Sequence, residues 1–403
     1  MHEFHILTTV AGSLAAALIL GFITQRLGMS PIVGYLLAGI AVGPHTPGFV
    51  ADHDTAEQFA EIGVILLMFG VGLQFHFKEL LAVRRVAIPG AVCQSAVATL
   101  LGCLIARQLG WTWSAGIVFG LAISVASTVV LIRVLADNNH LHTPTGHIAV
   151  GWLVVEDIFT VFMVVLLPMI FGAGSLESGS LFAALGLSLV KIILLTTLAF
   201  LVGGRVIPWL LHQVAATRSR ELFTLTVLVL ALGIAIGSAQ LFGVSMALGA
   251  FLAGMVVRQS DFSLRAASDA LPMRDAFAVL FFVSVGMLFN PAQLLQEPAL
   301  IAGTLAIIML GKPLAALAIV LLLGYLPRVA LSVAIALAQI GEFSFILATA
   351  GRNLGVLGES GSNALVAAAI ISISLNPLLY RLIEPLDSRY KQSRLWRMFQ
   401  RRA

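Results

Sequence analysis

The sequence predicts an all-α polytopic membrane protein, and three observations predict it. Of its 403 residues 59% are hydrophobic and 10% charged, against about 25% charged in an ordinary soluble domain. The apolar residues fall into runs that suit helices crossing a hydrocarbon core of about 30 Å, at about 20 residues each. Lys and Arg gather in alternate connections between those runs, as in a chain threaded repeatedly through a bilayer. Such a composition excludes a soluble globular enzyme, a disordered chain and a disulfide scaffold. The net charge of +4 reflects that sidedness and not a nucleic-acid surface.

Breaks at turn residues and charges give thirteen spans. They lie at approximately 6–24, 31–43, 57–74, 87–109, 114–135, 147–171, 182–204, 221–239, 242–257, 275–289, 299–324, 331–350 and 363–383. The first lacks a basic leader and a small-residue cleavage site, so it reads as retained. Cys93 and Cys103 share the fourth span, about 15 Å apart along a helix and beyond disulfide reach. With the N-terminus outside, nineteen of the 23 Lys and Arg residues face the inner side, among them Arg26, Arg85, Arg133, Arg258, Arg328 and the run from Arg381 to Arg402. The outer loops 44–56 and 172–180 carry none. The chain is therefore expected to start outside and end in the cytoplasm, which requires an odd number of spans.

Gly28–Gly39 resembles Gly243–Gly254 at six of twelve positions, and nearly the same offset aligns Phe69–Gly72 with Val283–Gly286. Small residues recur in any membrane helix, but the two copies enter the membrane from opposite sides. The expected architecture is two six-helix inverted repeats with span 7 between them, a plan that puts transport sites between discontinuous helices at the midplane. The offset pairs span 5, with Ser124, Ser127 and Thr128 in mid-course, with span 12, with Gln339, Gly341, Glu342 and Ser344. Small polar residues at both centres predict two broken helices that cross, because unpaired backbone is tolerated only where protein or water meets it.

A charge at mid-bilayer costs a few kcal/mol, so each one needs a reason. Glu156 and Asp157 lie in span 6, Lys312 in span 11 and Glu342 in span 12. Neighbours on a helix point about 100° apart, so one acid of the pair is expected to face a cavity and the other a protein partner. Asp157, Glu156, Ser127, Thr128 and Ser124 are the candidate cation and proton ligands, and Lys312, Glu342 and Gln339 the candidate coupling or charge-balancing groups. A dehydrated Na⁺ or K⁺ needs oxygen ligands, which Asp157, hydroxyls and unwound carbonyls supply. An acid that holds a proton or a cation, never both, is enough for exchange. The competing reading is a buried ion pair, Lys312 with Glu156 or Asp157, that only ties helices together. Lys191 in span 7 reads as a packing or snorkelling residue. No zinc-ligand spacing, phosphate loop or nucleophile elbow occurs, and neither enzyme chemistry nor a cofactor is expected.

The Glu156-Asp157 pair, Lys312, Gln339-Ile340-Gly341-Glu342-Phe343-Ser344-Phe345 and the early Gly34–Pro44 stretch together resemble the monovalent cation:proton antiporter-2 family, close to Kef-type potassium efflux transporters. The resemblance covers essentially the whole chain. It implies a sodium/proton antiporter-like fold that forms homodimers and exchanges K⁺ or Na⁺ for H⁺, with Asp157 as the shared site, in a bacterial inner membrane. It implies a transmembrane domain over 1–385: a dimer part at about 1–86 and 221–290, a core part at about 87–171 and 299–385 moving as an elevator, and a linker helix at about 182–204. A basic cytoplasmic tail, 386–403, follows. Kef-type members commonly carry Gln where Glu156 stands, so ion preference and stoichiometry do not carry over. They also resemble one another in a soluble nucleotide-binding regulatory domain after the membrane part; no dinucleotide fingerprint precedes Ala403, so that domain is expected to be absent from this chain. Two other functions fit a similar scaffold, a regulated potassium efflux channel and an organic-anion symporter.

Overall fold

The computed structural model describes residues 2–47, 50–74, 77–171, 190–191, 193–292 and 296–384. Every regular element among them is helical. In chain order these are α1 (His2–Arg26), α2 (Pro31–Val42), α3 (His53–Gln74), α4 (Phe77–Gln108), α5 (Trp113–Ser124), α6 (Thr128–Asp137) and α7 (Pro144–Phe171). A π-turn at Ala199–Gly203 leads into α8 (Gly204–Ala216), followed by α9 (Arg220–Phe242), α10 (Met246–Arg258) and α11 (Ser263–Met287). The last stretch runs from α12 (Pro298–Ala306) through a π-turn at Ile307–Gly311 into α13 (Lys312–Leu322), then α14 (Pro327–Ala336), α15 (Glu342–Asn353) and α16 (Glu359–Arg381). Ten helical stretches among the described residues are long and apolar enough to cross a membrane, and Pro31–Val42, Met246–Arg258 and Pro327–Ala336 are shorter apolar helices.

Two expected spans, 114–135 and 331–350, are each split, at 125–127 and at 337–341. The expected span at 275–289 is the later part of α11, which starts at Ser263 and as a whole is long and apolar enough to cross a membrane. The linker expected at 182–204 lies partly outside the described residues, as do the loop 172–180 and the tail 386–403. Its described part is helical and runs through the π-turn into α8. Lys191 brings its Nζ near Gly243, at the carboxyl end of α9, where a cation suits the helix dipole.

The chain forms two compact units. One comprises Met1–Leu18, Ala38–His76 and Val161–Met287, the other Ile19–Leu37, Phe77–Thr160 and Leu288–Ala403. In the first, helices meet through glycine. A Cβ on Gly72 would lie 2.9 Å from Met255 N and 3.0 Å from Gly254 Cα, and one on Gly39 would lie 2.7 Å from Gly286 Cα. Backbones come this close only where side chains are absent, the usual device for joining membrane helices without a hydrophobic drive. The sequence match equates Gly39 with Gly254 and Gly72 with Gly286, so the contacts Gly39 to Gly286 and Gly254 to Gly72 are counterparts of one another. The matched stretches also share local geometry: Gly28 and Gly243 are left-handed, at φ 78° and 65°, and the hydroxyls of Ser30 and Ser245 accept from the N–H of Ile32 and Leu248 at the next helix start.

The second unit holds both split helices. Ser127 caps α6, its hydroxyl accepting from Val130 N at 3.3 Å. Gly341 precedes α15 with extended backbone. A Cβ on Gly341 would lie 2.6 Å from Ser127 Cα, so the two breaks touch backbone to backbone. The π-turn before Lys312 contains an N–H from Lys312 to Ile307 O. Pro313 next to it has no N–H to give, and the widened turn absorbs that loss.

Candidate functional site

Where two helices are broken, four sets of backbone groups lack their usual partners: N–H groups at the starts of α6 and α15, and carbonyls at the ends of α5 and α14. The second unit satisfies them largely with side chains. Gln339 uses its whole amide on Ser127, accepting from Ser127 N at 2.9 Å and donating to Ser127 O at 3.0 Å. Ala126 N donates to Glu156 Oε2 at 3.0 Å. Ser344 Oγ donates to Val125 O at 3.4 Å, and Lys312 Nζ donates to Gln339 O at 3.0 Å. Charges follow the partial charges of the helix ends, with acids at exposed N–H groups and the ammonium at a carbonyl. Glu342 opens α15, is 8% exposed and accepts from Ser127 Oγ at 3.1 Å.

Glu156 and Asp157, adjacent on α7, have different surroundings. Glu156 is fully enclosed, at 0% exposure. Its Oε1 accepts from Gln94 Nε2 at 2.7 Å and Trp152 Nε1 at 3.1 Å, in addition to the Ala126 bond on Oε2. Lys312, also at 0%, acts on that carboxylate through space. A buried charge is tolerable when hydrogen bonds and an opposite charge meet it together. Asp157 is partly exposed. Its Oδ2 accepts from Thr128 Oγ1 at 3.2 Å, and its Oδ1 is buried with no hydrogen-bond partner. Glu342 lies within electrostatic reach of it. An acceptor left open beside a neighbouring acid is what a proton or a cation would complete.

The eight expected site residues are used unequally. Asp157, Thr128, Ser127, Glu342, Gln339, Lys312 and Glu156 join one hydrogen-bonded and electrostatic network around the crossing. Ser124 does not: its hydroxyl donates back to Leu121 O at 2.8 Å within its own helix. Two partners went unnamed from sequence, Gln94 and Trp152. Gln94 is a buried amide within a membrane-spanning helix, which by itself demands a partner. Trp152 stands four residues before Glu156, on the same helix face.

A second polar cluster surrounds His140, which lies in the connection between α6 and α7. His140 Nδ1 meets Tyr380 OH at 2.8 Å, while Arg328 and Glu384 stand 3.8 Å apart nearby. Partial burial holds the His140 imidazole below its ordinary pKa. The Arg328 charge pushes the same way, and Glu384 opposes both.

Comparison with known proteins gives the family of the chain. The family described as sodium/hydrogen exchanger, transmembrane, matches residues 14–382. YbaL of Escherichia coli (strain K12), which carries the name of a cation/proton antiporter, is 54% identical over 388 residues, covering 95% of this chain and 69% of YbaL. K(+) efflux antiporter 4 of Arabidopsis thaliana is 32% identical over 358 residues, 88% of this chain; the chain spans only 60% of that relative's length. Among solved structures, the sodium proton antiporter MjNhaP1 from Methanocaldococcus jannaschii at pH 8 superposes with a TM-score of 0.63 over 97% of this chain and 98% of that one, at 18% identity. The last likeness concerns the fold alone. A match over most of the length, together with a relative sharing half its residues, means that this integral membrane protein belongs to the family of transmembrane sodium/hydrogen exchangers.

Proposed function

We propose that the chain exchanges a monovalent cation, K⁺ or Na⁺, for H⁺ across the membrane, with Asp157 carrying either one. The observation that carries this reading is the half-satisfied Asp157 carboxylate: one oxygen held by Thr128, the other buried and open. A proton completes that oxygen by a covalent bond, a cation by coordination, and the two exclude each other. Thr128 serves both states because a hydroxyl rotates. Glu156, held by three donors with Lys312 nearby, supplies the fixed electrostatic setting. The names of the relatives support antiport, and K⁺ efflux antiporters among them favour K⁺.

In this reading the protein has thirteen spans as two inverted repeats. The paired glycine contacts and the matched turns at Gly28 and Gly243 support the repeat. The core part, about 87–171 and 299–385, contains Asp157 and moves as an elevator against the dimer part, about 1–86 and 221–290. The protein sits in a bacterial inner membrane, N-terminus outside and C-terminus cytoplasmic.

The test is proton flux in proteoliposomes. An outward K⁺ or Na⁺ gradient drives protons inward through the wild type, and Asp157→Asn abolishes that flux. Undiminished flux in Asp157→Asn removes Asp157 from the carrier role. Cation flux without any proton flux favours the channel reading instead.

A further inference from the structure

We infer that Gln339 is a positioning residue that sets cation affinity through Thr128; this rests on the Asp157 reading above. The second unit contains an unbroken chain of contacts from α13 to the acid. Lys312 Nζ, fully buried, holds the main-chain carbonyl of Gln339 at 3.0 Å. The Gln339 amide, itself at 0% exposure, grips Ser127 by both backbone groups, at 2.9 and 3.0 Å. The next residue, Thr128, donates its hydroxyl to Asp157 Oδ2 at 3.2 Å.

The grip has a geometric consequence. Ser127 ends the break as the N-cap of α6, extended at φ −82° and ψ 124°; the helix reaches its C=O, which accepts from Leu131 N at 3.1 Å, but not its N–H. A side-chain amide that accepts from one and donates to the other fixes the peptide plane on both sides of Ser127. The peptide leading into Thr128 is thereby oriented, and so is the direction of the Thr128 side chain. No other described side chain bonds both backbone groups of one residue in this crossing. Gln339 has no bond to Asp157, and its amide oxygen and nitrogen are both engaged by Ser127. Its influence therefore runs through Thr128, which presents the one hydroxyl bonded to the acid. Since a cation at Asp157 draws on surrounding oxygens, displacement of this hydroxyl weakens cation binding.

The test is a double-mutant cycle on the apparent cation KM of proton-coupled flux in proteoliposomes, with Na⁺, K⁺ and Li⁺ in turn. Thr128→Val removes the hydroxyl and is expected to raise KM about fivefold, the worth of one hydrogen bond. Gln339→Leu is expected to raise it similarly. The double variant should match the single ones, because the second change removes something already lost. A double variant whose KM is the product of the two single effects overturns the inference, since a general loosening adds to the loss of the hydroxyl. Gln339→Asn, whose shorter amide can meet only one of the two Ser127 groups, is run in the same cycle in case Gln339→Leu does not fold. Failure of the Asp157 reading looks different: flux then survives Asp157→Asn, whatever the cycle gives.

Discussion

Gly341→Ala adds one methyl group where the two broken helices touch. The Gly341 backbone, at φ −122° and ψ −174°, is extended and open to any residue, so alanine brings no backbone strain. The methyl would lie 2.6 Å from Ser127 Cα, 2.8 Å from Ser127 N and 2.9 Å from Ala126 O. All three are backbone atoms and cannot swing aside. Carbon atoms rest at about 3.5–4.0 Å, so the crossing must open by roughly 1 Å. The bonds between Gln339 and Ser127 at 2.9 and 3.0 Å would stretch, and that from Ser344 to Val125, already at 3.4 Å, would break. Overpacking costs about 1–3 kcal/mol, and each buried polar group left unsatisfied about 1–3 kcal/mol more. A loss of about 2–6 kcal/mol is large against a total of about 5–15 kcal/mol. The assay pairs the melting temperature of the purified protein in detergent with the initial rate of cation-driven proton flux. Gly233→Ala is the control: Gly233 is in α9 with nothing within 4 Å of its added methyl, and alanine there favours helix by up to about 1 kcal/mol. If Gly341→Ala melts with the wild type and keeps its flux, the account of the crossing as a rigid contact is wrong.

Two further changes probe other parts of the molecule. Gly72→Val places branched carbons against Gly254 and Met255 and is expected to cost at least about 1–3 kcal/mol, lowering the melting temperature; an unchanged transition would mean that α3 and α10 are not closely packed. His140 gives a pH dependence. Its folded pKa lies below the ordinary 6.5 because of burial and Arg328, so the unfolded chain binds the proton more readily. The stability it contributes is complete above about pH 6.5 and is lost as pH falls through that value toward the lower folded one. The melting temperature is expected to fall on acidification from about pH 7.5 to 5.5, and His140→Gln to flatten that slope; an equally steep slope in the variant would assign the dependence to other groups.

The amino-acid sequence by itself determined the class of molecule, because the cost of polar groups in lipid leaves few solutions. Apolar runs had to be helices, and Ser124, Ser127, Thr128, Gln339 and Gly341 could sit in mid-span only where helices break and meet each other. The same argument singled out Glu156, Asp157, Lys312 and Glu342. Tertiary structure decided how each is used. That Glu156 and Asp157 diverge follows from helix geometry, but which one is enclosed depends on the rotation of α7 against its neighbours, set by packing across the whole unit. Gln94, 62 positions before Glu156, becomes its partner only when α4 and α7 are laid side by side. The sequence makes Ser124 a candidate ligand and Gln339 a candidate coupling group; the first turns back to its own helix and the second is bonded to Ser127. Composition and period express what a residue must avoid. The partner that relieves it is fixed by contacts distant in the chain, and these exist only once the helices are assembled.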